Sequence, residues 1–383
     1  MKKRITVVYV NFAPYDNAGR ILDYLIENFN IVIHFSYDHL RLKNGRRSIL
    51  SVYRDGKLIE HRKLVWLRTH PLFLFPSLPF VALAIFIQTL YHVYRLKRSY
   101  GIFTYYLSVN AFTLWIGNLA RRLGLTKNTV FWVWDYFPTN FPDWRLKLAR
   151  FVYLKFDKPS MNSADRVVML NRKLLEVRKQ LGIISRYKRF PIVPIGTNPT
   201  KKLGVRKKLI IGHMGMLKLG QGLDLVFDNL PALIRLYPKL SIEIVGSGPN
   251  ETHFRKRAKK FGKFVKFYGY IPNDDDVDKL INRWSIGIAT YMPIPSSEHY
   301  WTDPSKIKAY LNQGVPVITT DVPEFAQEVK NSKAGIIIDY YSHEDFIKAI
   351  KRIIKFNKRY SKSALSLARK YEYTRIYKSL LVS

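Results

Sequence analysis

The chain has 383 residues, of which 47% are hydrophobic, and its 64 lysines and arginines outnumber 28 acidic residues, which gives a net charge of +36. This hydrophobic content argues against a disordered chain, and the absence of cysteine excludes disulfides, a thiolate metal site and a cysteine nucleophile. The length predicts two or three domains, and the charge indicates an anionic partner: nucleic acid, a phospholipid surface or a phosphorylated substrate.

The first 200 residues alternate between predicted strands and predicted helices. Apolar runs predict parallel strands at 5–12, 31–36, 64–68, 101–106, 130–134 and 166–170. Helical patterns lie between them at 18–28, 80–98, 110–123, 143–158 and 172–181. Asp55-Gly56, between apolar runs at 49–53 and 57–60, predicts one antiparallel hairpin. This alternation predicts a Rossmann-like domain over residues 1–198.

The longest stretch without a charged residue lies between Arg68 and Arg95. Prolines interrupt its first half, so a helix is expected to begin only near Pro79 and to run over residues 80–94, about 22 Å. A hydrocarbon core is about 30 Å thick, so we expect this helix to lie in a bilayer interface and not to span it. A helix buried against a parallel sheet is the alternative, and the two arrangements are compatible.

A second series of strands and helices follows the polar stretch 198–207. Strands are predicted at 208–212, 240–245, 264–268, 285–289, 315–319 and 335–339, with helices starting at 223, 251, 274, 304 and 323. The pattern predicts a second Rossmann-like domain over 199–360. Residues 361–383 are expected to form a C-terminal helix that crosses back to the first domain.

Four segments carry a resemblance to a known family: GHMGMLKLGQGLDLVFDNLPAL, LSIEIVGSGP, VKFYGYIPNDDDVDKLINRWSIGIATY and TDPSKIKAYLNQGVPVITTDVPEFAQEV. Their order and spacing resemble the glycosyltransferases of the GT-B fold, in the retaining family 4 group. The resemblance implies an α/β protein with two Rossmann-like domains facing a cleft, an N-terminal domain for the acceptor and a C-terminal domain for a nucleotide-diphosphate sugar. It also implies that no metal or other cofactor is required.

Glycine-rich loops in the second half suit a diphosphate. Gly215 and Gly222 bracket a loop between a predicted strand and a predicted helix, and Lys218 adds a positive charge to it. Glycine lets the backbone approach a phosphate, and a helix N-terminus offers free N–H groups. Gly246 and Gly248 end the next strand at the carboxyl edge, where ligands of doubly wound sheets bind. An ordinary turn with a surface lysine is the simpler alternative.

Two further segments are assigned to the donor. In the family the nucleotide base lies against the backbone at the place of Tyr270-Ile271, which follows a predicted strand. Asp303-Pro304-Ser305-Lys306 opens a predicted helix whose first N–H groups, with the Lys306 ammonium, are candidates to hold the β-phosphate. Asp303 is a candidate catalytic carboxylate, although capping of this helix would account for it alone.

In the first half, Asp135 follows the apolar run FWVW and resembles the strand-end acidic residue that faces the acceptor in these enzymes. We assign it a catalytic role in orienting an acceptor hydroxyl, with loop capping as the alternative. The first loop contains Gly19-Arg20, where the family has a glycine contacting donor or acceptor. Arg20 is a candidate ligand for an acceptor phosphate, and a plain turn with a solvated arginine is its alternative.

The sequence also departs from the family pattern. Met216 and Gln221 stand where the family commonly has arginine and lysine, and Trp301 and Ala309 stand where it has two glutamates. The second glutamate usually holds the ribose hydroxyls, which Ala309 cannot do. Lys218 and Lys306 are candidates to replace the lost charge, and Glu298 or Asp303 to replace one carboxylate. Alternatively, the protein binds its donor in an unusual way or has little activity.

No metal site is predicted. Asp274-Asp275-Asp276 lie in the first turn of a predicted helix, where acidic residues complement the helix dipole, and the histidines form no metal-binding pair. Basic residues alternate with aromatic and aliphatic ones over 143–158 and recur over 172–188. This pattern suits an anionic leaflet and a polyprenyl-phosphate-linked acceptor.

We therefore predict a peripheral enzyme on the inner face of the cell membrane that moves a hexose from a nucleotide-diphosphate sugar to a lipid-linked or other glycan. Two alternatives stay open. One is a non-catalytic, basic binding protein on the GT-B scaffold, and the other is a nucleic-acid glucosyltransferase. The sequence has no zinc finger, RNP-type aromatic motif or basic-leucine pattern, which disfavours a nucleic-acid partner.

Overall fold

The computed structural model describes residues 5–13, 15–38, 48–65, 74–134, 136, 144–183, 190–201, 203–204, 206, 208–294 and 297–381. The chain divides into two compact units. The first comprises Met1–Gly196 together with Tyr373–Ser383, and the second comprises Thr197–Glu372. Both units are α/β, as the sequence predicts.

The first unit is built on a seven-stranded sheet in the order β4-β3-β2-β1-β5-β6-β7. The strands are β1 (Thr6–Phe12), β2 (Ile31–Tyr37), β3 (Ile49–Arg54), β4 (Lys57–Lys63), β5 (Phe103–Ser108), β6 (Thr126–Val133) and β7 (Arg166–Met169). The helices are α1 (Ile21–Asn28), α2 (Leu74–Tyr100), α3 (Ala111–Arg122), α4 (Trp144–Ser163) and α5 (Arg172–Gln180). The predicted hairpin is confirmed, since β3 pairs antiparallel with β2 and β4. Its turn residues Asp55 and Gly56 both have positive φ.

Two sequence predictions for this unit need correction. Leu64 and Val65 are not in a strand, and the rest of the strand predicted at 64–68 lies outside the described residues. Helix α2 begins at Leu74 and has 27 residues, so it is about 40 Å long. The length argument against a membrane span is therefore wrong. Pro79 is the sixth residue of this helix, beyond its first turn, and the helix continues through it.

The second unit is an all-parallel sheet in the order β10-β9-β8-β11-β12-β13. Its strands are β8 (Ile210–Met214), β9 (Ser241–Val245), β10 (Val265–Gly269), β11 (Ile286–Ala289), β12 (Val317–Thr319) and β13 (Gly335–Ile337). Its helices are α6 (Leu223–Leu236), α7 (Glu251–Ala258), α8 (Asp274–Ile281), α9 (Ser305–Asn312), α10 (Phe325–Asn331), α11 (His343–Lys355) and α12 (Asn357–Lys370). The strand order reverses between β8 and β11, which is where doubly wound sheets bind ligands.

The C-terminal region differs from the single helix predicted for 361–383. Helix α12 stays in the second unit, because Ala364, Leu367 and Ala368 are buried in its core. Only the two short helices α13 (Tyr373–Ile376) and α14 (Lys378–Leu381) return to the first unit.

Tyr377 fixes this returning segment within the first unit. Its buried hydroxyl donates to the Gly19 carbonyl at 2.9 Å and accepts from the Gly196 N–H at 2.7 Å. Gly19 has φ +63°, and a Cβ there would lie 2.4 Å from Ile195 Cγ2 and 2.7 Å from the Gly196 nitrogen. The glycine therefore allows the first βα loop and the C-terminal segment to meet.

We expect Gly19→Ala to destabilise the first unit by about 1–3 kcal/mol more than Gly101→Ala does. Both glycines have positive φ, but nothing lies within 4 Å of a Cβ at Gly101, so that variant isolates the backbone strain. Urea unfolding followed by circular dichroism measures the difference. Equal losses in the two variants would mean that the packing around Gly19 is not tight.

Candidate functional site

The loop after β8 is held between two neighbouring loops of the second unit. The Gly215 N–H donates to the Val245 carbonyl at 3.0 Å, and the Leu217 N–H donates to the Ser247 carbonyl at 3.0 Å. On the other side, the Met292 N–H donates to the Gly220 carbonyl at 2.9 Å. The loop therefore lies at the reversal point of the sheet, between the ends of β9 and β11.

The predicted glycines have different roles in this loop packing. A Cβ on Gly246 would lie 2.0 Å from the Gly215 carbonyl oxygen, and one on Gly248 would lie 2.5 Å from the Leu217 nitrogen. One on Gly222, which precedes α6 with φ +99°, would lie 2.5 Å from Thr290 Oγ1. These three glycines let neighbouring loops pack together. A phosphate contact at Gly246 and Gly248 stays a prediction.

Gly215 faces Lys306, the second residue of α9. A Cβ at Gly215 would lie 3.3 Å from Lys306 Cε and 3.4 Å from its Nζ. The same ammonium lies 3.5 Å from Gln221 Oε1 and 5.2 Å from the centre of the Tyr291 ring. The structure thus brings together two segments that the sequence assigned to a diphosphate, the glycine loop and the start of α9.

Lys306 is a buried cation. It is only 9% exposed and makes no salt bridge to any residue of the described ranges. Burial lowers the pKa of its ammonium to about 8. A buried charge without an opposite partner is costly, so it stabilises the fold only when an anion is bound. Groups with pKa values shifted in this way cluster at functional sites.

Two histidines beside Lys306 are held neutral. His299 Nε2 lies 3.1 Å from Gln221 Nε2, and its ring lies 4.3 Å from the Tyr291 ring. Burial, followed by the charges of Lys306 and Lys218, lowers the pKa of His299 to about 3. Burial and the charge of Lys306 also lower the pKa of His213, on β8, well below its usual value. The positive charge of the site therefore comes from lysines.

Asp303 lies in a buried ion pair just before α9, and a catalytic role for it stays a prediction. Pro304, not Asp303, stands at the N-cap of α9. The Lys308 ammonium donates to the Asp303 carboxylate, and both residues are buried, at 1% and 8% exposure. The same ammonium lies 4.9 Å from the centre of the Phe325 ring. The carboxylate therefore neutralises a buried lysine and ties the segment before α9 to its first turn.

The amides at the start of α9 are available for an anion. The first N–H groups that donate within the helix are those of Ile307 and Lys308, and both donate to the Pro304 carbonyl. The N–H groups of Ser305 and Lys306 come before these and have no acceptor within the helix. Ser305 is exposed. The helix dipole adds to the positive potential at this end.

The segment predicted to hold a base lies at the adjoining edge. The Gly246 N–H donates to the Gly269 carbonyl at 2.7 Å, so Tyr270 and Ile271 follow directly beside the β9 loop. Both are partly exposed. Trp301 and Ala309 stand at the two glutamate positions that the resemblance implies, and neither has a carboxylate. Ala309 is partly buried against the core, and Trp301 contacts the Tyr300 ring.

In the first unit the predicted site residues are engaged in the fold. The Gly19 carbonyl accepts from Tyr377, and Arg20 pairs with Asp23 at 3.0 Å. Their contact with an acceptor stays a prediction, and so does the role of Asp135, which lies outside the described residues.

A buried polar cluster near the first loop was not predicted from the sequence. His34 lies 3.7 Å from the Asp16 carboxylate and stacks on Tyr9 at 5.4 Å, and the Asn11 amide donates to the Tyr9 hydroxyl at 2.6 Å. Gln221, Tyr291 and His299 were not predicted as neighbours of Lys306 either. Gln221 stands out in the sequence only as a departure from the lysine of the family. A single histidine in one sequence does not indicate a binding site.

No group of three metal-binding side chains occurs in the part of the chain that the structure describes. Asp274, Asp275 and Asp276 form the exposed first turn of α8, as predicted. The Asn273 side chain caps this helix, and Asp276 pairs with Lys279 at 2.8 Å.

Comparison with known proteins agrees with this fold. Residues 197–364 match the family model described as glycosyl transferases group 1. No curated protein matches the sequence. The chain is similar to the sucrose-phosphate synthase of Thermosynechococcus elongatus, with 15% identity, a TM-score of 0.64 and 99% and 96% of the two chains covered.

It is also similar to Anabaena HepE in complex with UDP-glucose, with 13% identity, a TM-score of 0.59 and 98% of each chain covered. A variant of S. aureus TarM bound to Fondaparinux, alpha-GlcNAc-glycerol and UDP matches at 14% identity and a TM-score of 0.54. That match covers 76% of this chain and only 58% of TarM. These similarities confirm the predicted GT-B fold and the resemblance to its glycosyltransferases.

We expect Lys308→Met to destabilise the second unit by about 3–5 kcal/mol, because the buried Asp303 carboxylate would lose the ammonium that neutralises it. The double variant Asp303→Asn/Lys308→Met should recover much of this loss. Urea unfolding of the three proteins at pH 7 provides the comparison. A double variant as unstable as the single one would show that the pair is not coupled.

Proposed function

Because residues 197–364 match the glycosyl transferases group 1 model and both units are Rossmann-like, we propose that the protein is a glycosyltransferase. It moves a hexose from a nucleotide-diphosphate sugar to a lipid-linked or other glycan acceptor. The observation that carries this proposal is the buried Lys306 ammonium, which lies against Gly215 and beside Gln221 without a carboxylate partner in the described ranges.

The site would act on the departing diphosphate. In sugar transfer, negative charge grows on the leaving phosphate as the bond to the sugar breaks. We assign the Lys306 ammonium, the first amides of α9 and the Lys218 side chain to that charge. They are positioned before the reaction by loop packing, so little reorganisation is needed. Retention of configuration is implied only by the resemblance.

Gln221 explains how the site can lack the lysine that the family has there. Its side-chain oxygen lies 3.5 Å from Lys306 Nζ, so a lysine at position 221 would place two ammonium groups side by side in a buried place. One cation, Lys306, therefore takes over the charge. UDP and UDP-glucose occur in the structures of HepE and TarM named above, which makes UDP the first probe to use here.

We place the acceptor on a membrane. Residues 1–200 carry 32 lysines and arginines against 11 acidic residues, and this half contains the unit that the GT-B resemblance assigns to the acceptor. A polyprenyl-phosphate-linked glycan at an anionic leaflet suits such a surface. The inner face of the cell membrane is the corresponding location.

A second candidate is a donor-binding protein without turnover. The observation in its favour is the absence of a carboxylate at Trp301 and Ala309, together with the engagement of Asp303 by Lys308. Release of UDP from UDP-glucose, with and without a polyprenyl-diphosphate glycan, separates the two. Turnover supports the transferase, whereas tight UDP binding with no turnover for any nucleotide sugar supports the binding protein.

We expect Lys306→Ala to weaken UDP binding by about 1–3 kcal/mol, the range for a charge-assisted contact. Isothermal titration measures it, with Lys279→Ala as the control, since Lys279 is an exposed lysine of the same unit that pairs with Asp276 on α8. Unchanged affinity in Lys306→Ala would remove this lysine from the donor site.

UDP affinity should also fall as the pH rises above 8. The free Lys306 ammonium has a pKa of about 8 and a bound diphosphate would raise it, so binding takes up a proton above that pH. The affinity should drop by up to about tenfold per pH unit between pH 8 and 9.5, where the phosphate stays fully ionised. A slope that persists in Lys306→Ala would assign the effect to another group.

A further inference from the structure

Helix α2 presents a continuous apolar stripe to solvent. Phe80, Leu83, Ile87, Tyr91 and Tyr94 are each more than half exposed. Their spacing of three or four residues places them on one face of the helix. The helix contains the Ser77–Tyr100 segment, which by length and composition could cross a membrane, yet only 22% of its most apolar stretch is buried.

The opposite face of α2 is fixed to the sheet of the first unit. Thr89 bonds to the buried Tyr37 hydroxyl at 2.7 Å, Val93 is fully buried, and Arg95 pairs with Glu60 at 2.6 Å. Gln88 donates to the Val65 carbonyl at 3.0 Å. A helix held this way cannot cross a bilayer without taking polar strands into the hydrocarbon. The packing of α2 against the sheet, and not the length of the helix, therefore argues against a membrane span.

Helix α4 carries a second exposed apolar stripe, formed by Trp144, Leu148, Phe151 and Val152. The Trp115 side chain of α3 contacts both helices. The Trp115 ring lies 5.7 Å from the Phe86 ring of α2 and 5.7 Å from the Phe156 ring of α4, and it is itself partly exposed. We call the two stripes with Trp115 the α2–α4 surface.

Cations accompany the aromatic rings of the α2–α4 surface. The Arg98 guanidinium lies 5.1 Å from the centre of the Tyr94 ring, Arg145 lies 5.6 Å from Trp144, and the Lys155 ammonium lies 5.0 Å from Phe151. The two helices contain eight lysines and arginines and a single acidic residue, Asp157. That carboxylate is buried and bonded to Arg178 at 2.6 Å. The exposed charge is therefore uniformly positive.

We propose that the α2–α4 surface docks the first unit onto an anionic lipid bilayer, with α2 and α4 lying in the interface. Amphipathic helices with aromatic anchors and adjacent lysines or arginines bind such leaflets through apolar burial and headgroup charge together. Two identical surfaces of this charge would repel each other, which disfavours a second copy as the occupant. This proposal does not depend on sugar transfer.

Flotation with vesicles tests the proposal on the intact protein. At 100 mM salt, we expect binding to vesicles of 70% phosphatidylcholine and 30% phosphatidylglycerol, and little binding to pure phosphatidylcholine. In 1 M salt the binding should fall only in part, because inserted apolar side chains do not respond to screening. The triple variant Ile87→Ser/Tyr91→Ser/Trp144→Ser should bind at least about tenfold more weakly.

Leu58→Ser/Ile59→Ser is the matched control, because these residues of β4 are 52% and 46% exposed but lie outside the α2–α4 surface. It should bind vesicles as the parent protein does. UDP titration of the triple variant shows whether the second unit is intact, so a failure of docking would remove the membrane placement of the acceptor and leave donor binding and sugar transfer standing.

Three results would overturn the proposal. The first is absence of the parent protein from both kinds of vesicle, and the second is equal loss of binding in the triple variant and its control. The third is a dimer in sedimentation velocity that the triple variant dissociates, since the surface would then bind a second copy.

Discussion

The ammonium of Lys306 is the constraint around which the second unit is arranged. It is buried, it makes no ion pair within the described ranges, and burial lowers its pKa to about 8. A charge in such a place costs stability unless an anion accompanies it. The loop at Gly215 approaches it closely, Gln221 offers it an oxygen, and Tyr291 lies under it. The buried charge therefore lowers the stability of the free protein and provides an anion-binding position at the reversal point of the sheet.

The neighbouring lysine of the same helix shows the contrast. Lys308 is buried as deeply but is paired with Asp303, so its charge is neutralised within the fold. Two lysines two residues apart thus have opposite roles, one structural and one open to a ligand. Sequence reasoning identified Lys306 through its position at a helix start. It could not identify the partner of Lys308, because that pairing depends on where the segment before α9 turns.

Much of the fold could be predicted from the sequence because strand and helix periods alternate regularly along the chain. The glycine loops and the start of α9 were identifiable by their spacing from these elements. Gln221, Tyr291 and His299 could not be, because their convergence on Lys306 is set by tertiary packing of three separate loops. Helix α2 was predicted too short because prolines usually end a helix, and three of them precede or lie in its first half. Its exposed apolar stripe could not be predicted, because the sequence does not show which face of the helix packs against the sheet.

The most direct test of the central claim is a titration of UDP, UMP and uridine against the intact protein at pH 7.5. If the Lys306 site holds the diphosphate, affinity should fall at least about tenfold from UDP to UMP, and further to uridine, since each phosphate removed loses charge-assisted contacts. Equal affinities for UDP and UMP would contradict this assignment, because the buried ammonium would then have no part in binding the donor.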